Sequence, residues 1–575
     1  MRRGYLAALT FLFLWSTVLS APTFTRPLDL RHDWLTAHTS ISLQYMYECG
    51  PFRNLGASVL FLPSRELGCD APTRVQNPGK RIYLSYPSGW LLTYLPFYSA
   101  FRFLLPPNIP DYQIVRGLAL LLIRLPLLAF LLIMMQKQLM VYPGLSPPRA
   151  LGFSFLANLT FACSPAFLHY TQNIVFTDMI VLPVIYGSMV LFLHRIGKTE
   201  NAIADETWTS RQNWTAAAAF GLLLWLASST DWYGALWSAF FLLILWLKGR
   251  EARLDRYMWL LVASGPAVAA LHFGLQVSLL PGGWEQILST ATERTGQNVA
   301  GFSQRWHLWQ IALTYWTFDL PLPIGWANSF LPFALLILCA LTCVLLLRNG
   351  GGLSFGSLLL PAPFLVGLLH LIILPQHSAE HDFSALKFGP MILFACFLTV
   401  SFLLRVLNDS PLIKGRLSGN TERWALAGLT LLALFAAPTL RANHKATAGL
   451  EAVSVEHLNM AALPERLPDS AIPITLATPR SDGYTPLEAT GWDPPQSLAL
   501  AGREIYTPDR IVRYREALGE QGKRAPVVLL AFKPDQEYPC EWKSTGLDFQ
   551  EGMALLCSPG WTLNDFIRSR KFRLE

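Results

Sequence analysis

Ionisable side chains that could do chemistry gather at five places in the chain. Arg31-His32-Asp33-Trp34-Leu35-Thr36-Ala37-His38 sets a carboxylate among imidazoles, and Asp178 follows closely on His169-Tyr170-Thr171-Gln172-Asn173. Asp231 opens the turn Asp231-Trp232-Tyr233-Gly234, and His272 stands in an apolar stretch. Gln376-His377-Ser378-Ala379-Glu380-His381-Asp382-Phe383 then leads to Lys387. An Asp, with a reference pKa of about 3.9, is ionised at neutral pH and can accept a proton from a hydroxyl. Cations beside it can stabilise charge that grows on an oxygen during a reaction. Any one of these residues reads most simply as a solvated loop charge; it is their shared location, derived below, that argues for a site.

Two further signals are sharper and need weighing. Arg124 sits inside the apolar run Leu122-Ile123-Arg124-Leu125-Pro126. A central Arg costs about 2.5 to 3.5 kcal/mol on insertion scales, so it must face a partner or water. Pairing with an Asp of a neighbouring helix and holding a lipid phosphate are equally compatible with that cost. His377-x-x-Glu380-His381 matches the H-x-x-E-H pattern of inverted zinc proteases. That motif needs a helix presenting both His on one face, whereas here Asp382-Phe383 follows at once at the start of an apolar stretch. A non-catalytic metal contact at His377, Glu380 or His381 stays open.

The elements that must position these residues follow from composition. With 52% apolar and only 14% charged residues in 575, the chain is excluded from the class of multi-domain soluble proteins, and 13% aromatics exclude disorder. It reads as a polytopic α-helical membrane protein. Crossing about 30 Å of hydrocarbon takes roughly 20 apolar residues. Eleven such stretches lie near 4–20, 112–134, 149–168, 175–194, 214–230, 232–247, 257–275, 325–347, 355–374, 385–404 and 424–440. Arg2, Arg3, Lys137, Arg149, Arg195, Lys198, Arg211, Lys248, Arg250, Arg253, Arg256, Lys414, Arg416 and Arg423 then share one side, which the positive-inside rule makes the inner one. All five ionisable groups face the opposite, outer side, with the loop 21–111 and the tail 441–575. Residues 84–106, apolar but punctuated by Pro87, Pro96, Pro106 and Pro107, are expected to lie along the outer interface, because a full crossing would invert every later loop. The first run is read as an uncut anchor in preference to a signal peptide ending at Val18-Leu19-Ser20-Ala21.

Cysteines agree with this sidedness. Cys49 with Cys69, and Cys540 with Cys557, form two local pairs on the outer face, where an oxidising compartment permits disulfides. The net charge of +7, spread through short loops, makes no case for nucleic acid as a partner. No Walker loop and no G-x-G-x-x-G opens a helix. The tail after 440 changes character, with strand-like Ile472-Pro473-Ile474-Thr475-Leu476-Ala477 and Val527-Val528-Leu529-Leu530-Ala531-Phe532 and a helix-like Pro508 to Leu518, and reads as a small outer α/β domain. The expected division is therefore a membrane domain, 1–440, and an extracytoplasmic domain, 441–575.

Taken in order, these features resemble the GT-C superfamily of integral-membrane glycosyltransferases, in its bacterial branch related to protein O-mannosyltransferases and the lipid A aminoarabinose transferase. The likeness covers roughly 1–440. It rests on Arg31-His32-Asp33-Trp34-Leu35-Thr36-Ala37, Tyr83-Leu84-Ser85-Tyr86-Pro87, Arg124-Leu125-Pro126, the stretch from Ser164-Pro165 to Asp178, and Glu380-His381-Asp382-Phe383 ahead of Phe388-Gly389-Pro390. What it implies is a GT-C fold with about eleven spans in a bacterial inner membrane, its active site in the periplasm. The activity implied is inverting sugar transfer from a polyprenyl-phosphate donor to a glycan, lipid or protein acceptor. On that reading Asp33 is the general base, and Asp178 orients the acceptor or a divalent metal. Trp34 stands where many relatives carry a second acid. The cations available to the donor phosphate are Arg81, Arg124, His377, His381 and Lys387, while Asp231, His272, Glu380 and Asp382 hold the acceptor or the structure. No cofactor beyond that optional metal is expected. The competing class is a polytopic transporter or flippase of a lipid-linked substrate, which calls for ionisable groups through the depth of several spans and for internal symmetry.

Overall fold

The computed structural model describes residues 2–26, 28, 33–60, 69, 82–141, 146–200, 210–248, 256–295, 337, 362–381, 386–387, 389–390, 472–475, 527–530, 542–549 and 552–557. The apolar runs form helices. α1 is Arg2–Ser20, α2 Asp33–Cys49 and α3 Trp90–Leu104, followed by α4 Asp111–Ala119 and α5 Leu125–Val141. Next come α6 Pro147–Ala162, α7 Pro165–Asn173, α8 Thr177–Glu200, α9 Ser210–Ser228 and α10 Trp232–Lys248. α11 Arg256–Leu279, α12 Gly283–Arg294, α13 Ala362–Ile373 and α14 Pro375–Glu380 complete the described helices.

Among the described residues, three helical segments are long and apolar enough to cross a membrane: Arg3–Thr23, Asp111–Met140 and Tyr257–Leu279. A fourth arises if the bent pair Pro147–Ala162 and Phe167–Asn173 acts as one span. Thr177–Leu193, Trp214–Ser228, Trp232–Trp246 and Ala362–Ile373 are apolar helices of 10–17 residues at the places where further spans were expected. The expected spans at 325–347, 385–404 and 424–440 lie, apart from single positions, outside the described residues.

Local chemistry explains two irregularities. The stretch 149–168, expected as one straight span, breaks by 70°. Pro165 has no N–H and pushes Ser164 out of the helical region to φ −66°, ψ 143°. The Ser164 hydroxyl then caps the new helix by accepting the Phe167 N–H at 3.3 Å. Inside the second span, Leu120–Arg124 widens into a π-turn in which the Leu125 N–H reaches back five residues to the Leu120 carbonyl. Pro126 follows directly, so the helix is already missing one donor there.

The loop 21–111 is built on α2. Ser58–Val59 (β1) pairs antiparallel with Ile82–Tyr83 (β2), Ser58 opposite Tyr83. Cys49 and Cys69 form the expected disulfide, with Cα atoms 5.5 Å apart. The Tyr45 hydroxyl donates to the Cys69 carbonyl at 2.7 Å, fixing the far side of the bridge. Of the other expected pair, Cys540 lies outside the described residues. α3 has 15 residues, about 22 Å of helix, too short to cross 30 Å of hydrocarbon. Trp90, Tyr94 and Tyr98 are buried while Phe97, Phe103 and Leu104 are exposed.

In the tail, Ile472–Thr475 (β3), Val527–Leu530 (β4), Trp542–Phe549 (β5) and Gly552–Cys557 (β6) form one sheet in the order β3-β4-β6-β5. β3 and β4 run parallel, and the remaining pairs are antiparallel. Both strand expectations there are met; the helix expected near 508–518 lies outside the described residues. The buried apolar side chains of α1 to α11 and α13 form a single continuous core, which holds the helix ends described next.

The outer loop generates a test. Replacing Cys69 with Ser opens a loop closed over 20 residues of sequence, for which the chain-entropy account gives about 3 kcal/mol. The expected result is a Tm several degrees below wild type in detergent, and dithiothreitol should lower the wild-type Tm further than that of the variant.

Candidate active site

Four separated stretches converge on one buried cluster. Asp178 lies in the first turn of α8, where the helix dipole favours a negative side chain. Asp231 sits in the turn between α9 and α10. That turn is tight because Gly234 lies against the Ala227 carbonyl: an added Cβ would stand 2.0 Å from its oxygen. Lys387 bridges the two acids, with Nζ 2.5 Å from Asp178 Oδ1 and 3.3 Å from Asp231 Oδ2. All three side chains are at most 1% exposed. The face of Tyr233 covers the ammonium at 5.0 Å. His377, on α14, brings Nε2 to 3.8 Å from Asp178 Oδ1, and its ring lies 4.4 Å from that of His381.

A second layer comes from the Tyr83–Tyr86 segment and α12. The Tyr86 hydroxyl lies 3.4 Å from the His377 ring nitrogens. Gln286, Thr290 and Arg294 are spaced four apart, so they share one face of α12. Gln286 accepts the Leu84 N–H at 2.5 Å, Thr290 meets Ser85 at 3.0 Å, and Arg294 donates to the Tyr83 hydroxyl at 3.5 Å. The Arg294 guanidinium lies 4.2 Å over the Tyr86 ring. Its Nη1 is buried with no hydrogen-bond partner among the described residues.

Asp33 belongs to an adjoining cluster. Its Oδ2 accepts from Arg116 Nη2 at 3.1 Å, and both side chains are fully buried. Arg116 also donates to the carbonyls of Phe24 and Arg26. α2, which begins at Asp33, is stapled to the strand of chain leading into Asp178. Thr36 and Thr39 donate to the carbonyls of Asn173 and Val175, and Thr36 accepts the Val175 N–H at 3.1 Å. Phe176 completes the junction, its ring 6.5 Å from Trp34, 5.1 Å from His38 and 5.5 Å from Tyr86. Asp33 and Asp178 are therefore on the same side of the helical bundle, on neighbouring elements.

The structure sorts the residues singled out in the sequence. Asp178, Asp231, His377, His381 and Lys387 come together, with Asp33 adjoining. Arg124 does not join them. Its guanidinium donates to Thr171 at 2.9 Å, to the Ser16 carbonyl at 3.1 Å, to the Ser20 hydroxyl at 2.7 Å and to the Leu168 carbonyl at 2.9 Å. Four of its donors thus tie α1, α7 and the π-turn together, and neither an Asp nor an outward-facing anion position is involved. His272 is likewise a structural contact: with Gln276 it holds the Leu55 carbonyl, at 2.8 and 2.9 Å, beneath the corner where Asn54 and Leu55 take positive φ. Glu380 ends α14, and Arg81 and Asp382 lie outside the described residues. Sequence reading missed Arg116 and Arg294. The spacing of polar residues at 286, 290 and 294 was the available signal for the second; nothing local marks the first.

Comparison with known proteins gives a coarse likeness. No family model and no curated protein matches the chain. Among solved structures, it is similar to the archaeal oligosaccharyltransferase AglB from Archaeoglobus fulgidus in complex with an inhibitory peptide and a dolichol-phosphate, at 12% identity and a TM-score of 0.46, over 92% of this chain and 69% of that one. The Archaeoglobus fulgidus oligosaccharyltransferase in complex with Zn and sulfate matches at 11% and 0.46, over 90% and 68%. ArnT from Cupriavidus metallidurans in the apo state matches at 12% and 0.44, over 95% and 97%.

His38 provides a pH test. Its ring is packed edge-on against Tyr83 at 4.7 Å and Phe176 at 5.1 Å, and burial pushes the imidazole down to about 3. Below an unfolded value of about 6.5 the unfolded chain takes up a proton that the folded one refuses, so stability falls as pH drops, by at most about 1.4 kcal/mol per unit. The Tm of the wild type should decline between pH 7 and pH 5, and more shallowly in His38→Phe.

Proposed function

We propose that the protein is an integral-membrane glycosyltransferase that moves a sugar from a polyprenyl-phosphate donor to an acceptor hydroxyl at the outer face of a bacterial inner membrane. One observation carries this reading. Acids and cations from six stretches of sequence, around 33, 116, 178, 231, 294 and 377–387, meet in two adjoining buried clusters, on the side assigned as outer from loop charges. Intramembrane and interfacial charge is costly enough that such a gathering marks a working site.

In this scheme the acceptor oxygen attacks the anomeric carbon from the face opposite the phosphate, and Asp33 takes its proton. The bond from the anomeric carbon to the phosphate oxygen breaks, its electron pair leaves with the lipid phosphate, and the anomeric centre inverts. Arg116 holds one oxygen of Asp33 and so sets the direction of the other. Asp178, clamped by Lys387 and beside His377, orients the acceptor. The charge that develops on the leaving phosphate is met by Arg294, whose buried Nη1 has no hydrogen-bond partner among the described residues, with His377 and His381 as hydrogen-bond partners. Arg81 is kept as a further donor-side cation, and Arg124 is assigned to holding the bundle together. Asp33 and Asp178 are closed off in this state, so entry of either substrate requires the outer elements to part.

The scheme is tested on membranes supplied with lipid-phosphate sugars and read by mass spectrometry. Asp33→Asn should lower transfer by at least about 100-fold when assayed at a temperature where the variant is still folded, its melting point being lowered because Arg116 loses its buried counter-charge; full activity in the folded variant would remove Asp33 as the base. Arg294→Ala should lower kcat for the lipid donor by about 10- to 100-fold, with partial recovery in Arg294→Lys. A loss confined to the yield of folded protein would instead make Arg294 a packing residue.

A further inference from the structure

We propose that the Lys387 ammonium fills the place between Asp178 and Asp231 that a divalent cation would otherwise take, so that the site carries its own tethered cation and works without a bound metal. This deepens the transferase reading and rests on it for what the site does, although the test below does not depend on transfer.

Two buried carboxylates brought together must be balanced by positive charge, whether from an ion or from a side chain. Here the acids come from the start of α8 and the α9–α10 turn, and one ammonium contacts an oxygen of each, at 2.5 and 3.3 Å. The Tyr233 ring lies on another side at 5.0 Å, so two anions and a π-face enclose the cation. An ammonium has three donors and suits a shell of this kind. A hard divalent ion asks for about six oxygen ligands, and a softer one for several His or Cys.

The described residues do not supply either set. His377 adds one imidazole near Asp178, and among the described residues no group of three or more His, Cys, Asp or Glu is arranged to hold a metal. The donor set therefore does not fit a divalent ion while Lys387 stays in place. Two expectations from the sequence change together: Asp178 is not left available to a metal, and Lys387 is committed to the two acids and is not held out toward a phosphate. The three charges sum to a single negative one, and the two carboxylates are fixed in orientation without any exchangeable ligand. A tethered cation also makes the arrangement independent of the metal content of the surroundings.

The test uses purified full-length protein in lipid nanodiscs with Mn2+ as the probe, followed by electron paramagnetic resonance. The wild type should show no saturable site tighter than about 1 mM, the weak end of oxygen-ligand sites. Lys387→Ala frees both carboxylates and should bind Mn2+ at least 10-fold more tightly than wild type, and the gain should vanish in Lys387→Ala/Asp231→Asn. The proposal is overturned if the wild type binds one Mn2+ per chain and loses it in Asp231→Asn, or if a folded Lys387→Ala shows no gain. Should Lys387→Ala fail to accumulate, the wild-type titration is joined by Asp178→Asn/Asp231→Asn/Lys387→Met. Recovery of folded protein in that neutral triple variant supports the charge-balancing role, and failure to recover counts against it. A wild type with no transfer activity but with this binding pattern would remove the transferase reading and leave the lysine assignment standing.

Discussion

An ammonium held between two buried carboxylates is the constraint on which this molecule turns. Breaking such an arrangement by removing one partner leaves an unpaired charge in a low-dielectric interior, at a cost of about 3 to 5 kcal/mol. The cost is what forces the start of α8, the turn before α10 and the segment around Lys387 to stay in register. Asp178 and Lys387 are 209 positions apart in the chain, yet their side-chain atoms approach to 2.5 Å. Around that contact the other groups have little freedom: Tyr233 covers it, His377 flanks it, and Tyr86 joins His377 to Arg294.

The pair of Asp33 and Arg116 imposes a second constraint of the same kind one layer away. Arg116 is used three times, by a carboxylate and two carbonyls, so the beginning of α2 cannot move without leaving a buried guanidinium short of acceptors. The link between the two clusters is apolar. Phe176 touches rings from α2 and from the Tyr83–Tyr86 segment, two residues before Asp178 itself. Electrostatics thus sets the two centres, and aromatic packing sets the distance between them. A site of this construction is preorganised, which is what stabilising developing charge requires.

Much of this was legible in the chain, but unevenly. Apolar runs at 4–20, 112–134 and 257–275 became long helices because burial of that many apolar residues leaves the backbone no other way to satisfy its hydrogen bonds. Cys49 and Cys69 were readable as a pair from their nearness and sidedness. The grouping of Asp178, Asp231, His377, His381 and Lys387 followed from placing all of them at outer helix ends. Arg124 misled, because an intramembrane Arg signals only that acceptors exist. Here they are hydroxyls and carbonyls of Ser16, Ser20, Leu168 and Thr171, which look like ordinary packing residues in sequence. Arg116 was passed over for the converse reason: eight residues from Arg124 and near a span end, it carried no local mark of its partner.

By itself the sequence determined that this is a chain of apolar helices with ionisable residues gathered at a few helix ends, because hydropathy and charge act residue by residue and need no knowledge of neighbours. Only the tertiary structure decided which charge meets which. The choice of Asp178 and Asp231 for Lys387, of Arg116 for Asp33 and of neutral acceptors for Arg124 depends on how helices rotate and approach one another. That rotation is set by the packing of side chains from distant parts of the chain, which no local period records.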